Sequence, residues 1–136
     1  MAKTKFDALM SIGVDIGKDT FHIVGFNAEG ALVLRKKIKR QALEPTFEKL
    51  PRCVVGMEAC LSAHFVSRTL RGLGFEPRII PAIYVKPFIK GQKNDYNDAE
   101  AIAEAALRPN LKLVAEKSQD QLDLQWLWYL GRRAHR

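Results

Sequence analysis

The sequence predicts an α/β domain built on a mixed central sheet flanked by helices, and three observations lead there. A strand-rich stretch near the start folds back through a turn as a hairpin, which sets antiparallel neighbours. Beyond it, helical and strand-like segments alternate, the pattern of strands joined through helices. The length of 136 residues at 47% hydrophobic composition suits a single core and is too short for two ordinary domains.

Taken in order, Ser11 to Phe26 is rich in Ile, Val and Phe and reads as the first arm of the hairpin. Asn27-Ala28-Glu29-Gly30 makes the turn, and Ala31 to Leu34 begins the second arm. That arm runs into Arg35-Lys36-Lys37-Ile38-Lys39-Arg40, and a strand so charged belongs at a sheet edge. Protection against edge-to-edge aggregation and contact with nucleic acid both account for it. Leu43 to Leu50 forms a short helix that tolerates Pro45 in its first turn. Cys53 to Met57 reads as a buried strand with Glu58 at its C-terminal end. Ser62 to Leu73 follows as an amphipathic helix, with Phe65, Val66, Leu70 and Leu73 on its apolar side and Gly72 and Gly74 to stop it. Arg78-Ile79-Ile80 is a further short strand, and Pro81 to Gln92 is a Lys-bearing connection. Asn94 starts a helix that runs to about Leu107 and is ended by Pro109. Ser118 and Gln121 make a capping box ahead of Leu122, Trp126, Tyr129 and Leu130 at helical spacing. This last helix either docks on its own domain or begins a longer partner-binding helix. The chain therefore divides into a domain over 1–115 and a terminal helix over 116–136.

Lys and Arg number 22 against 15 Asp and Glu, a formal charge of +7 that favours a polyanionic partner, nucleic acid first. Cys53 and Cys60 fit neither a zinc site nor a disulfide framework and read as reduced, buried thiols. The opening MAKTKFDALM lacks the apolar stretch of a signal peptide, and no segment approaches a membrane span, so a cytosolic protein is expected.

Four carboxylates stand out. Asp15 interrupts an apolar strand, where a charge is costly unless a metal ion, water or backbone amides compensate it. Glu58 ends a separate apolar strand, and the ends of such strands gather in one crevice in open α/β sheets. Asp95 and Asp98, three apart at a helix start, lie on one face with β-carbons roughly 5 to 6 Å apart, as oxygen ligands to a hard cation must. The same pair also suits helix capping. His22, His64 and His135 have no metal-ligand spacing and read as structural or solvated. Lys86, Lys90 and Lys93 line the connection into Asp95, as phosphate contacts or as a solvated loop.

Together, GVDIGKDTF at 13–21, VVGMEAC at 54–60 and KNDYNDAEAIAEA at 93–105 resemble the Asp-Glu-Asp-Asp transposases of the insertion-sequence one-hundred-ten type, relatives of the Piv invertases. That resemblance implies a RuvC-like domain of the ribonuclease H-like fold, with Asp15, Glu58, Asp95 and Asp98 as an acidic tetrad. The tetrad would hold two Mg²⁺ ions, or Mn²⁺ in their place, about 3.5 to 4 Å apart. Lys18 and the Lys86 to Lys93 loop would add positive charge at the phosphate. It further implies a DNA substrate, a guide RNA, a homo-oligomer, and a second domain that supplies a serine nucleophile. Nothing in this sequence matches that second domain, and Ser11, Ser62, Ser67 and Ser118 are not assigned its role. The chain then corresponds to the N-terminal part of such an enzyme, with the terminal helix opening a helical spacer. Three other readings compete: a free-standing Mg²⁺-dependent junction nuclease, a non-catalytic nucleic-acid binding module, and an actin-like ATPase suggested by Asp15-Ile16-Gly17.

Overall fold

A computed structural model describes residues 8–91 and 94–134, with side chains described up to residue 131. Three strands, β1 (Leu9–Ile16), β2 (Thr20–Asn27) and β3 (Leu32–Lys39), form an antiparallel meander. Two more, β4 (Val54–Glu58) and β5 (Glu76–Ile80), add in parallel on the other side of β1, so the sheet runs β3-β2-β1-β4-β5. A five-stranded mixed sheet flanked by helices is the predicted class and is compatible with the ribonuclease H-like fold.

One expectation is corrected here. Ser11 to Phe26 is not a single arm but β1 and β2, separated by a tight turn in which Gly17 N–H donates to the Thr20 carbonyl at 3.0 Å. A continuous arm over that span would exceed the usual strand length, and Gly17-Lys18-Asp19 is the turn chemistry that divides it. The next turn falls where expected, with the Asn27 side chain accepting from the amides of Glu29 and Ala31.

Strand alternation sorts the side chains into two layers. On one face Ile12, Val14, Phe21, Ile23, Val55 and Met57 pack against α1 (Leu43–Glu48) and α2 (Leu61–Gly72), with Phe47, Val66 and Leu70 filling the gap. In α2 the burial differs from the expected stripe. Phe65 is exposed, while Ala63, His64 and Ser67 are buried beside Val66 and Leu70.

The other face is built from smaller groups. It receives α3 (Ala82–Val85) and α4 (Asp95–Ala105), whose Ala99, Ala101, Ile102, Ala103 and Ala105 are all buried. β1 and β4 present Gly13 and Gly56 to α4 side by side in the parallel register. A β-carbon on Gly13 would lie 2.0 Å from the Ala99 carbonyl oxygen, so the helix rests almost directly on the strand backbone.

Residues after α4 return along β5, where Val114 N–H donates to the Ile79 carbonyl at 2.9 Å. The next few are tied to α2. His64 Nδ1 accepts from the Lys117 amide at 3.1 Å, Ser67 donates to the Glu116 carboxylate, and Arg68 donates to the Lys117 carbonyl. Burial, with Lys117 and Arg68 nearby, lowers the His64 pKa and keeps the imidazole neutral, as an accepting nitrogen requires. The last helix, α5 (Gln119–Ala134), opens with the expected capping box: Ser118 Oγ accepts from the Gln121 amide at 3.1 Å and Gln121 Oε1 from the Ser118 amide at 2.9 Å. Leu122, Trp126 and Tyr129 border a cleft over the start of α2, and Trp126 and Tyr129 are exposed there, as are Leu124, Leu127 and Trp128 elsewhere on the helix. Of the cysteines, Cys53 is partly buried and Cys60 is exposed at the N-cap of α2, so the expectation of two buried thiols holds for neither in full. No helix among the described residues is long and apolar enough to cross a membrane.

Candidate metal centre at the junction of β1, β4 and α4

The two central strands carry the same short pattern on the α4 face. The parallel register pairs Gly13 with Gly56 and Val14 with Met57, and one step on it brings Asp15 beside Glu58. Each glycine thus sits two residues before an acid, and the glycines let α4 come close enough for its first turn to reach the acids. Asp95 and Asp98 are in that turn.

Three of the carboxylates crowd the fourth, Asp15. The Asp15 pKa is pushed up to about 7, first by burial, then by the charges of Asp98 and Asp95, a hydrogen bond with Asp95, and the charge of Glu58. A proton or a cation relieves such crowding. Asp98 adds a second sign, because its Oδ1 is buried with no hydrogen-bond partner among the described residues. Buried polar atoms without a partner are rare and need an explanation such as an ion. The donors are carboxylate oxygens, the chemistry that hard divalent cations select.

The capping alternative for the Asp pair is met by another residue. Asn94 is the N-cap of α4 and its side chain accepts from the Asn97 amide at 2.8 Å, leaving Asp95 and Asp98 in the first turn. Replacing Asn94 by Ala is expected to cost about 1 kcal/mol of stability, read from a urea melt, because the amide it satisfies loses its partner.

His22 was not singled out by its sequence context. It pairs with Asp15 across β1 and β2, and its Nε2 lies 3.6 Å from Asp95 Oδ2. Asp15, His22 and Asp95 each offer a ligand atom, all within 4.8 Å of one another. Tyr96 meets the His22 ring edge-on at a centroid distance of 4.9 Å, and Arg35 lies over the Tyr96 ring at 3.9 Å. Recognising Gly17-Lys18-Asp19 as a turn would have paired Asp15 with His22; without the turn, His22 has no neighbour in sequence that marks it.

The lysines fall in different places. Lys18 is exposed in the turn that follows β1, and Lys86 is exposed in the turn after α3. Lys90 pairs with Glu104 at 3.2 Å, about 13 Å further along α4 than Asp95. Lys93 lies outside the described residues.

Known proteins give the arrangement a family. The profile of the DEDD transposases of the IS110 type, described as Transposase, matches residues 12–131. A probable family 20 transposase of Pseudomonas aeruginosa is 44% identical over 117 residues, covering 86% of this chain and 35% of its own. The transposase for insertion sequence element IS1328 of Yersinia enterocolitica is 42% identical over 110 residues, 81% of this chain and 33% of its own. The transposase for IS1111A of Coxiella burnetii is 40% identical over 116 residues, 85% of this chain and 32% of its own. The chain therefore spans about a third of the length of these relatives. With a matched region that takes in β1, β4 and α4 and every one of the four carboxylates, the chain belongs to the DEDD transposase family of the IS110 type.

Proposed function

We propose that this chain is the metal-dependent catalytic part of a DNA transposase, with Asp15, Glu58, Asp95 and Asp98 holding divalent cations, Mg²⁺ in the cell and Mn²⁺ as its substitute. The observation that carries the reading is the crowding of Asp98, Asp95 and Glu58 about Asp15, together with a buried Asp98 oxygen that has no hydrogen-bond partner among the described residues. Such cations, when bound, polarise phosphodiester oxygens and activate the attacking oxygen. The protein's own part is placement. Asp15 and Glu58 come from strand ends fixed in the sheet, Asp95 and Asp98 from a helix seated on Gly13 and Gly56, and His22 holds Asp95 from the side. Lys18, Lys86 and Lys93 supply positive charge for the phosphate, while Lys90 is engaged by Glu104.

The finer reading follows the family. The domain spans 1–115, α5 opens a helical spacer or dimerisation helix, and a guide RNA directs a homo-oligomer to its DNA in the bacterial or archaeal cytoplasm. A serine nucleophile comes from a further domain. The serines here fit that division, since Ser62 accepts from Arg40, Ser67 donates to Glu116, Ser118 caps α5, and Ser11 is buried.

Crystals soaked in Mn²⁺ are expected to show an anomalous peak among Asp15, Glu58 and Asp98. By calorimetry Asp98→Ala should weaken Mn²⁺ binding by more than about a hundredfold, as loss of a direct ligand exceeds the tenfold to hundredfold cost of losing an outer partner. Absence of both the peak and a binding isotherm in the wild type would falsify the metal reading.

A further inference from the structure

The charged strand β3 has two faces, and they differ. Cross-strand partners share a face, so Lys37, which pairs with His22, points to the side of the sheet that carries Asp15 and α4. Arg35 confirms the assignment by lying over Tyr96 of α4. Lys39, two residues on and paired with Thr20, follows. Three successive positions on the site face are therefore basic, and Lys37 and Lys39 are exposed.

The opposite face of β3 carries Leu34 and Ile38, both buried, with Lys36 between them. Arg40, just beyond the strand, is pinned to Ser62 of α2 at 2.9 Å. Burial of Leu34 and Ile38 on one face sends polar residues to the other, but alternation does not require that all three of them be cations beside the carboxylates. Nor are these charges consumed locally, because among the described residues neither Lys37 nor Lys39 makes an ion pair.

The rows also have a useful geometry. Across the sheet, one line of neighbouring residues reads Lys37, His22, Asp15 and Glu58, which sets the Lys37 backbone about 10 Å from that of Asp15. Along β3, Arg35, Lys37 and Lys39 recur at about 6.8 Å, the two-residue strand repeat. Successive phosphates of an extended nucleic-acid strand are similarly spaced.

We propose that Arg35, Lys37 and Lys39 form a phosphate-binding row that holds one nucleic-acid strand along β3, beside the Asp15 and Glu58 end of the sheet. Arg35, braced on Tyr96, is its fixed point, and the two lysines are the freely solvated contacts. The role of that strand as a substrate or guide at the carboxylates rests on the function proposed above, but binding to the row needs no metal.

The test is fluorescence anisotropy of the full chain with labelled single-stranded DNA and RNA of one sequence, in EDTA, across a salt series. Lys37→Ala/Lys39→Ala is expected to weaken binding about tenfold and to flatten the salt slope by about 1.4, as loss of two single-strand phosphate contacts requires. Lys36→Ala, matched in charge to Lys37→Ala alone but on the other face, should leave affinity and slope unchanged. Equal losses for Lys36→Ala and Lys37→Ala would mean that net charge alone matters and would overturn the row, as would an unaltered slope in the double variant. A loss confined to DNA identifies a substrate strand, and one confined to RNA a guide strand; either supports the row. Mn²⁺ calorimetry on the same proteins separates the two claims. Undisturbed Mn²⁺ binding with no row effect removes the row alone, and a row effect without Mn²⁺ binding removes the metal reading alone.

Discussion

Gly13→Ala is expected to lower the unfolding free energy by about 3 kcal/mol or more and to abolish divalent-cation binding in whatever fraction still folds. The added methyl would meet the Ala99 carbonyl oxygen at 2.0 Å and the Ala103 amide nitrogen at 2.6 Å. Both are backbone atoms, so no rotamer change relieves the clash; α4 must lift. Asp95 and Asp98 ride on α4 while Asp15 and Glu58 stay in the sheet, so lifting the helix separates the two halves of the tetrad. Gly56→Ala should be milder, because its nearest obstacles, the Ala106 β-carbon at 2.7 Å and the Ile102 carbonyl oxygen at 3.1 Å, stand further off. Gly72→Ala has nothing within 4 Å and should be neutral or stabilising by up to about 1 kcal/mol. Urea melts of the three variants with Mn²⁺ calorimetry rank them. Equal stability for Gly13→Ala and Gly72→Ala would contradict the close seating of α4.

Without divalent cations the protein is expected to lose stability as pH rises from about 4 to about 7. Asp15 titrates near 3.8 when unfolded and near 7 when folded, so between these values the native state carries a proton that the unfolded state has released. Stability then falls with rising pH, and above about 7 the penalty of ionising Asp15 among its neighbours is felt in full. Asp15 is only about half buried, and solvent screening reduces the effect to about 1 to 2 kcal/mol, a few degrees of Tm. Asp15→Asn should flatten the profile and raise the metal-free Tm at pH 8. Mn²⁺ should reverse the order there, stabilising the wild type and leaving Asp15→Asn behind. Melting curves in EDTA and in Mn²⁺ across this pH range decide the matter; a flat wild-type profile in EDTA would show that the carboxylates do not crowd one another.

Most of the layer order was legible because the later elements are bounded by strong signals. Glu58 closes β4 after an apolar run, Pro109 lies just past α4, and the Ser118 and Gln121 box places the start of α5. The first hairpin was less legible, since β1 and β2 are both apolar and the polar gap between them is only the three residues Gly17-Lys18-Asp19. That omission hid the pairing of Asp15 with His22 and with it the histidine's place beside Asp95. Phe65 misled for a different reason: helical periodicity marks a face but does not say how wide it is, and α2 packs through its small residues Ala63 and Ser67 instead. From spacing alone the four carboxylates were visible as residues but not as one group; only the family resemblance joined them. Their convergence depends on two glycines whose value lies in what they lack, and no local propensity reveals which helix will use that space.

The ties of Glu116 and Lys117 to α2, beside the bond of Val114 to β5, determine where mechanical load enters the molecule. His64, Ser67 and Arg68 hold this segment, and all three belong to the helix that packs on the sheet face opposite α4. A pull or twist applied along α5 is therefore delivered into α2 and the large-residue layer beneath it. The alanine-on-glycine contact that seats α4 lies on the other face of the sheet, but only Ala59 and Cys60 separate Glu58 from the start of α2, so a load on α2 reaches the acids through Glu58.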